Sequence, residues 1–255
     1  TVSLCDVITV EEGGTGFTLL TGEAFSLPAD KVSMEQRAAE AFFAALGVPV
    51  PPLTVRLEKN IPAFAGLGGG SADVAALLRC LRRLYAAGMP DEALRAIGLT
   101  VGSDVPFCVS GGTSLAEGRG ERLTDLPPLP VCQIVLCKPD FGISTPELFV
   151  LADGAVLSKR PDIAGLTAAL QGGELTGVTD RLCNVFEEFL PERYREVFRI
   201  KEILLAHGAL NAAMSGSGPT VYGIFESAAE AQRAAEVLKK SYQQTYVAKP
   251  VKKLV

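Results

Sequence analysis

The stretch Pro62–Leu78, PAFAGLGGGSADVAALL, decides how this sequence is read. Gly66, Gly68, Gly69 and Gly70 put four glycines into five positions. Val74, Leu77, Leu78, Leu81, Leu84 and Tyr85 then recur at three- and four-residue intervals, the period of a helix with one apolar face. Upstream, LTVRLE from Leu53 alternates as a strand, so strand, glycine loop and helix follow one another. A loop that folds its N–H groups around phosphate oxygens needs close backbone approach and positive φ, both of which a Cβ obstructs. The helix, expected to begin near Ser71, adds unpaired N–H groups and the positive end of its dipole. The alternative is a tight strand-to-helix turn that holds nothing. The two common phosphate loops fit poorly. No lysine follows Gly70, and MPDEALRAIG, a helix, follows where a dinucleotide fold needs a second parallel strand.

Outward from the loop, TVSLCDVITVE reads as a strand. SMEQRAAEAFFAALG reads as a helix opened by a Ser33–Gln36 capping box and closed at Gly47. TSLAEGRGERLTDL reads as two short strands around a turn, VCQIVLCKP as a buried strand, and LPPLP between them as a rigid connector. STPELFVLAD starts a helix with a Ser/Thr cap and Pro146 in its first turn. The remainder alternates helix (YREVFRIKEILLAHG), strand (NAAM), Gly/Ser loop (SGSGP), strand (TVYGIF), helix (SAAEAQRAAEVLKK) and strand (YQQTYVAK). The fold class is α+β in two lobes, with domains expected at 1–129 and 130–255.

Composition narrows the function. With 255 residues, 48% of them hydrophobic, one large or two modest domains fit. A net charge of −5 with scattered Lys and Arg offers no basic stripe, so nucleic acid is not an expected partner. The six cysteines form no CxxC pair and His207 is the single histidine, which points to a reduced, cytoplasmic protein without a Cys/His metal cluster. No apolar run reaches the ~18 residues of a membrane span, so no membrane partner is expected. Cys132 and Cys137 read as packing residues, and His207 as a helix C-terminal residue.

Three segments, NIPAFAGLGGGSADVAALL, VGSDVPFCVSGGTSLAEGRGERL and AMSGSGPTVYGIF, resemble in order the three signature segments of the GHMP kinases. Within that superfamily the pairing of GLGGGSAD with GSDVPF resembles the kinases acting on 4-diphosphocytidyl-2-C-methyl-D-erythritol, with smaller matches at FGISTPELF and at NVFE, Asn184–Glu187. The resemblance implies a two-lobed fold, an N-terminal sheet-and-helix domain followed by a ferredoxin-like one. It implies an ATP-phosphate loop formed by Pro62, Ala63, Phe64, Ala65, Gly66, Leu67, Gly68, Gly69, Gly70, Ser71 and Ala72, with Ser71 near Mg2+. It makes Asp104 the catalytic aspartate, beside the substrate, and puts Gly216, Ser217 and Gly218 along the substrate and phosphate channel. The implied reaction is ATP-dependent phosphorylation of the 2-hydroxyl of that small molecule, by a monomer or weak homodimer.

The residue types suit this chemistry. Phosphoryl transfer passes through a loose transition state, so a carboxylate beside the hydroxyl need only orient it and take its proton late. The competing reading of Asp104 is a helix cap before Val105–Pro106, and that of SGSGP is an ordinary hairpin loop.

The sequence also departs from the family. The implied first strand with a lysine that pairs with the aspartate, and an Asp-Gly-Tyr-His segment that grips cytosine, occur nowhere in it, so the chain is expected to start inside the first domain. Ser33 stands for an adenine-pocket Asn, Phe64 for a small residue, and Leu182 for a cytosine-stacking aromatic. A nucleotide-binding protein that keeps the scaffold without catalysis, or a kinase for another small alcohol, are the alternatives.

Overall fold

The computed structural model describes residues 1–22, 32–154, 157–158 and 160–253 and divides the chain into two compact units, each made of discontinuous segments.

The amino-terminal unit draws on Cys5–Ile61, Gly68–Asp125 and Lys253. Its strands β1 (Val7–Glu12), β2 (Phe17–Thr21) and, after helix α1 (Met34–Leu46), β3 (Leu53–Glu58) form a sheet of order β1-β3-β2. β1 runs antiparallel to β3 and β2 parallel to it. Ser33 caps α1 by accepting from Gln36 N at 3.0 Å, and Gly47 closes it in the left-handed region at φ 72°, as the capping box and the terminal glycine imply. Helices α2 (Gly69–Tyr85), α3 (Asp91–Leu99) and α4 (Val105–Ser110) follow, then the hairpin β4 (Thr113–Glu117) and β5 (Arg122–Leu126). The helical period on α2 is real: Val74, Leu77, Leu78 and Leu81 are fully buried with Phe42 of α1, Leu53 and Val55 of β3, and Leu94 of α3. Each such side chain contributes about 1.5–3 kcal/mol of burial, and together they fix which face of α2 turns inward. β2 is the strand that sequence patterning misses. FTLLT has no polar alternation, and only its pairing with β3 identifies it.

The carboxy-terminal unit draws on Thr1–Leu4, Pro62–Leu67 and Leu126–Lys252. It contains β6 (Gln133–Lys138), α5 (Thr145–Asp153), α6 (Ile163–Gly172), α7 (Leu175–Thr179), single 3-10 turns at Val185–Phe189 and Glu192–Tyr194, α8 (Glu196–Ala206), β7 (Asn211–Met214), β8 (Val221–Phe225), α9 (Ala228–Lys239) and β9 (Gln244–Ala248). The sheet order β7-β8-β6-β9, antiparallel throughout, with α8 and α9 as the two crossovers, is the βαββαβ arrangement of a ferredoxin-like layer. β6 is buried on both faces. Val135 and Cys137 meet α8 and α9, while Ile134 and Leu136 join a second apolar cluster that includes Leu67 and Leu182. Burial pushes the thiols of Cys132 and Cys137 up to about 11, which suits packing and not redox chemistry. His207 ends α8 with Nδ1 2.7 Å from the Ile203 carbonyl.

Candidate active site

The glycine segment does three different jobs. Gly66 and Gly68 hold positive φ, 69° and 65°, so their lack of a Cβ is a backbone requirement. Gly69 and Gly70 do not. They are the first two residues of α2, which begins two residues earlier than the expected start near Ser71. Gly69 is glycine because of close approach: a Cβ there would stand 3.0 Å from Ile61 Cγ2 and 3.5 Å from Lys59 Nζ. Gly70 has only Met34 Sδ nearby, at 3.5 Å, and is exposed.

Gly68 caps α2 without a side-chain hydrogen bond, and the first intrahelical bond runs from Ala72 N to Gly68 O at 2.9 Å. The amides of Gly69, Gly70 and Ser71 are therefore left without helical acceptors, at the positive end of a 17-residue helix. Phe64 holds φ 52°, unusual for an aromatic residue, and is 82% exposed.

Pro62–Leu67 is clasped to the Gly/Ser loop between β7 and β8. Ser215 donates its hydroxyl to Gly66 O at 2.8 Å, and Thr220 N donates to Ala65 O at 3.3 Å. A Cβ on Gly66 would lie 2.3 Å from Ser215 O and 2.8 Å from Gly218 N. Gly216 and Gly218 hold positive φ, 54° and 75°, and a Cβ on Gly216 would be 3.3 Å from Gly66 O. Gly216, Ser217 and Gly218 thus adjoin the first half of the glycine segment. SGSGP is a docked element and not a free hairpin tip.

The NVFE match supplies its support. Asn184 Nδ2 donates to both Met214 O and Gly216 O at 2.8 Å, Glu187 accepts from Met214 N at 2.6 Å, and Lys201 pairs with Glu187. The Thr145 and Ser217 hydroxyls are 2.6 Å apart, which links FGISTPELF to the same loop.

Asp104 sits in the amino-terminal unit at the start of α4, exposed, and its side chain makes no capping hydrogen bond. The cap reading of this residue therefore lacks its defining contact. Two residues earlier, a Cβ on Gly102 would be 3.8 Å from Ser71 Oγ and 3.4 Å from Met34 Cε, so the Asp104 segment adjoins the first turn of α2. Arg79 of α2 donates to Cys108 O at 2.8 Å and holds the far end of α4. The β4–β5 turn braces the near end: Gly120, at φ 107°, lies so close to Ser103 that a Cβ would be 2.4 Å from its carbonyl oxygen.

Sequence reasoning passed over Lys59, Asp6 and Asp73. Lys59 Nζ donates to Asp73 at 2.7 Å and to Asp6, while the other Asp6 oxygen accepts from Asn60 N at 2.5 Å and Ile61 N at 2.7 Å. The side chains are 15%, 3% and 3% exposed in the order Lys59, Asp6, Asp73. Burial pushes Asp73 up to about 7 against the pull of Lys59. Burial also works to raise Asp6, but hydrogen bonds from Lys59, Ile61 N and Asn60 N hold it below the usual carboxylate range. The signal was slight: Lys59 follows the strand LTVRLE and Asp73 falls in the first turns of the predicted helix, but Asp6 lies in the middle of the stretch read as a strand.

Residues 33–112 match the model of the GHMP kinases N terminal domain, and residues 166–244 that of the GHMP kinases C terminal domain. The 4-diphosphocytidyl-2-C-methyl-D-erythritol kinase of Clostridium novyi is 34% identical over 250 residues, 98% of this chain and 89% of the relative. The chain belongs to this family of GHMP kinases. A kinase of the same name from Caldicellulosiruptor saccharolyticus is 36% identical over 239 residues, 94% of this chain and 82% of the relative. A crystal structure of a 4-(cytidine 5'-diphospho)-2C-methyl-D-erythritol kinase superposes with a TM-score of 0.79 at 30% identity, covering 98% of this chain and 87% of that one. This kinase is thus a small-molecule kinase that uses ATP. Among the described residues no helix is long and apolar enough to cross a membrane.

Ser33, where the family resemblance placed an adenine-pocket residue, is buried as the cap of α1, and Leu182 packs into the apolar cluster of β6. Among the described residues no group of three or more His, Cys, Asp or Glu side chains is placed to hold a metal. Ser71, in the first turn of α2, carries a hydroxyl oxygen of the kind that Mg2+ takes alongside phosphate oxygens.

Proposed function

We propose that this kinase transfers the γ-phosphoryl group of ATP to the 2-hydroxyl of 4-diphosphocytidyl-2-C-methyl-D-erythritol, with Pro62–Ala72 as the phosphate loop and Asp104 as the catalytic residue. The observation that carries the site assignment is local: unpaired amides of Gly69–Ser71 open α2, and the segment bearing an uncapped Asp104 adjoins that same turn. The likeness to named kinases over 94% to 98% of this chain supports the substrate.

The amides and the helix dipole bind and orient the phosphates, and the Gly66–Ser215 clasp holds the loop in shape. Asp104 orients the substrate hydroxyl. As its oxygen bonds to the γ-phosphorus and the bond to the bridging oxygen of ADP breaks, the hydroxyl proton passes to the Asp104 carboxylate. Gly216, Ser217 and Gly218 line the approach of the substrate and phosphate. Ser71 would hold Mg2+, which when bound neutralises charge on the phosphate oxygens. The chain acts as a cytoplasmic monomer or weak homodimer.

The test is ADP release with ATP, Mg2+ and diphosphocytidyl-methylerythritol. Turnover should require all three and stop on chelation. Turnover with homoserine or mevalonate and none with diphosphocytidyl-methylerythritol would overturn the substrate.

A further inference from the structure

We infer that Lys59, held between Asp6 and Asp73, is a positioning residue that sets the spacing of the two stems of the glycine loop and thereby the affinity for ATP phosphates. The inference rests on the loop being the phosphate site.

The chain leaves the amino-terminal unit at Ile61 and returns to it at Gly68. Asp6 fixes the departing stem: one carboxylate oxygen accepts from the amides of Asn60 and Ile61, and Asn60 Nδ2 donates to Cys5 O at 3.0 Å. Asp73, in the opening turns of α2, fixes the returning stem. One ammonium bonds both carboxylates, and it lies 3.5 Å from where a Gly69 Cβ would stand. Ile61 closes the remaining space, with Cγ2 3.0 Å from that same point.

A buried ion triad is a poor source of stability, since apolar side chains of the same volume often serve as well. What apolar packing does not supply is direction. Two charge-assisted hydrogen bonds with fixed acceptors register the start of α2 against the strand end that feeds the loop. The amides of Gly69, Gly70 and Ser71 converge on one anion only while that register holds, and losing one such charge-assisted hydrogen bond weakens binding about 10- to 100-fold.

The experiment measures the ATP dissociation constant by calorimetry in the full chain, with turnover at saturating ATP and a thermal melt, for Lys59→Met, Gly70→Val and Leu94→Ala. Lys59→Met is expected to weaken ATP about 10- to 100-fold with kcat at saturating ATP within about threefold. Leu94→Ala, a core truncation away from the loop, should lower the melting temperature and leave ATP affinity alone. Should Lys59→Met not fold, Asp73→Asn, which keeps the volume and one acceptor, is read in the same way. Wild-type ATP affinity in a folded Lys59 or Asp73 variant overturns the inference, as does an equal loss in Leu94→Ala. Wild-type affinity in Gly70→Val overturns the phosphate-loop reading itself.

Discussion

Ser215 donates its hydroxyl to the carbonyl of Gly66 at 2.8 Å, a hydrogen bond between residues 149 apart that joins the two glycine-rich loops of this kinase. Gly66 sits where a side chain is excluded, because a Cβ there would reach within 2.3 Å of Ser215 O. Gly68 has a similar φ but nothing within 4 Å. Gly68→Ala is therefore expected to cost about 1–2 kcal/mol, the left-handed penalty alone, and Gly66→Ala at least twice that. Urea denaturation of the two variants measures the difference.

Gly70 offers the clean probe of phosphate approach. Gly69 is hemmed in by Ile61 and Lys59, so enlarging it disturbs the protein before any ligand arrives. Gly70→Val meets only Met34 Sδ, at 3.5 Å. It should weaken ATP at least tenfold with a melting temperature close to wild type, an expectation drawn from crowding a helix N-terminal anion site. Calorimetric titration with ATP checks it.

Asp104→Asn separates catalysis from capping. The Asp104 side chain makes no capping hydrogen bond, so its amide replacement has none to lose and the melt should not move. Turnover should fall about 10²–10⁴-fold while ATP affinity holds, the signature of a lost proton acceptor. ADP release with saturating substrates, beside the melt, reads both.

Asn184→Ala removes both bonds that hold Met214 O and Gly216 O, and with them the acceptor of Phe186 N. Stability should fall by about 1–3 kcal/mol, and KM for the substrate should rise, a change that partial unfolding, which lowers only the amount of active enzyme, does not produce. Steady-state kinetics at a temperature where the variant is folded tests this.

Asp6 carries a pH signature. Its folded carboxyl lies below the ordinary 3.8, so its contribution to stability is complete above that value and fades as the pH falls through the lower folded one. Asp6→Asn lacks that contribution. The gap in melting temperature between wild type and Asp6→Asn should close as the pH falls below about 3.8, a range in which Asp73, pushed up to about 7, is already protonated and Asp6 alone takes up its proton. A gap that stays open at low pH would mean that packing, and not the carboxylate charge, stabilises the wild type.

The sequence by itself determined the elements whose physics is local. The capping box at Ser33 and Gln36, the left-handed stop at Gly47, the apolar stripe from Val74 to Leu81 and the two-faced burial of β6 follow from residue types a few positions apart. It determined that a glycine-rich turn feeds a helix, but not that Gly69 and Gly70 already belong to that helix. It did not determine which glycine serves which need. Gly69 is small on account of Ile61 and Lys59, Gly66 on account of Ser215, and only Gly68 on account of φ alone. Nor did it determine β2, whose place depends on pairing with β3, or the Asp6–Lys59–Asp73 triad, whose first and last members are separated by 67 positions that the fold removes. Backbone propensity and periodicity act over one or two turns of chain, and those the sequence states outright. Steric exclusion and charge pairing act through space, and they are settled only when packing brings Ile61, Asp73 and Ser215 to the places they occupy.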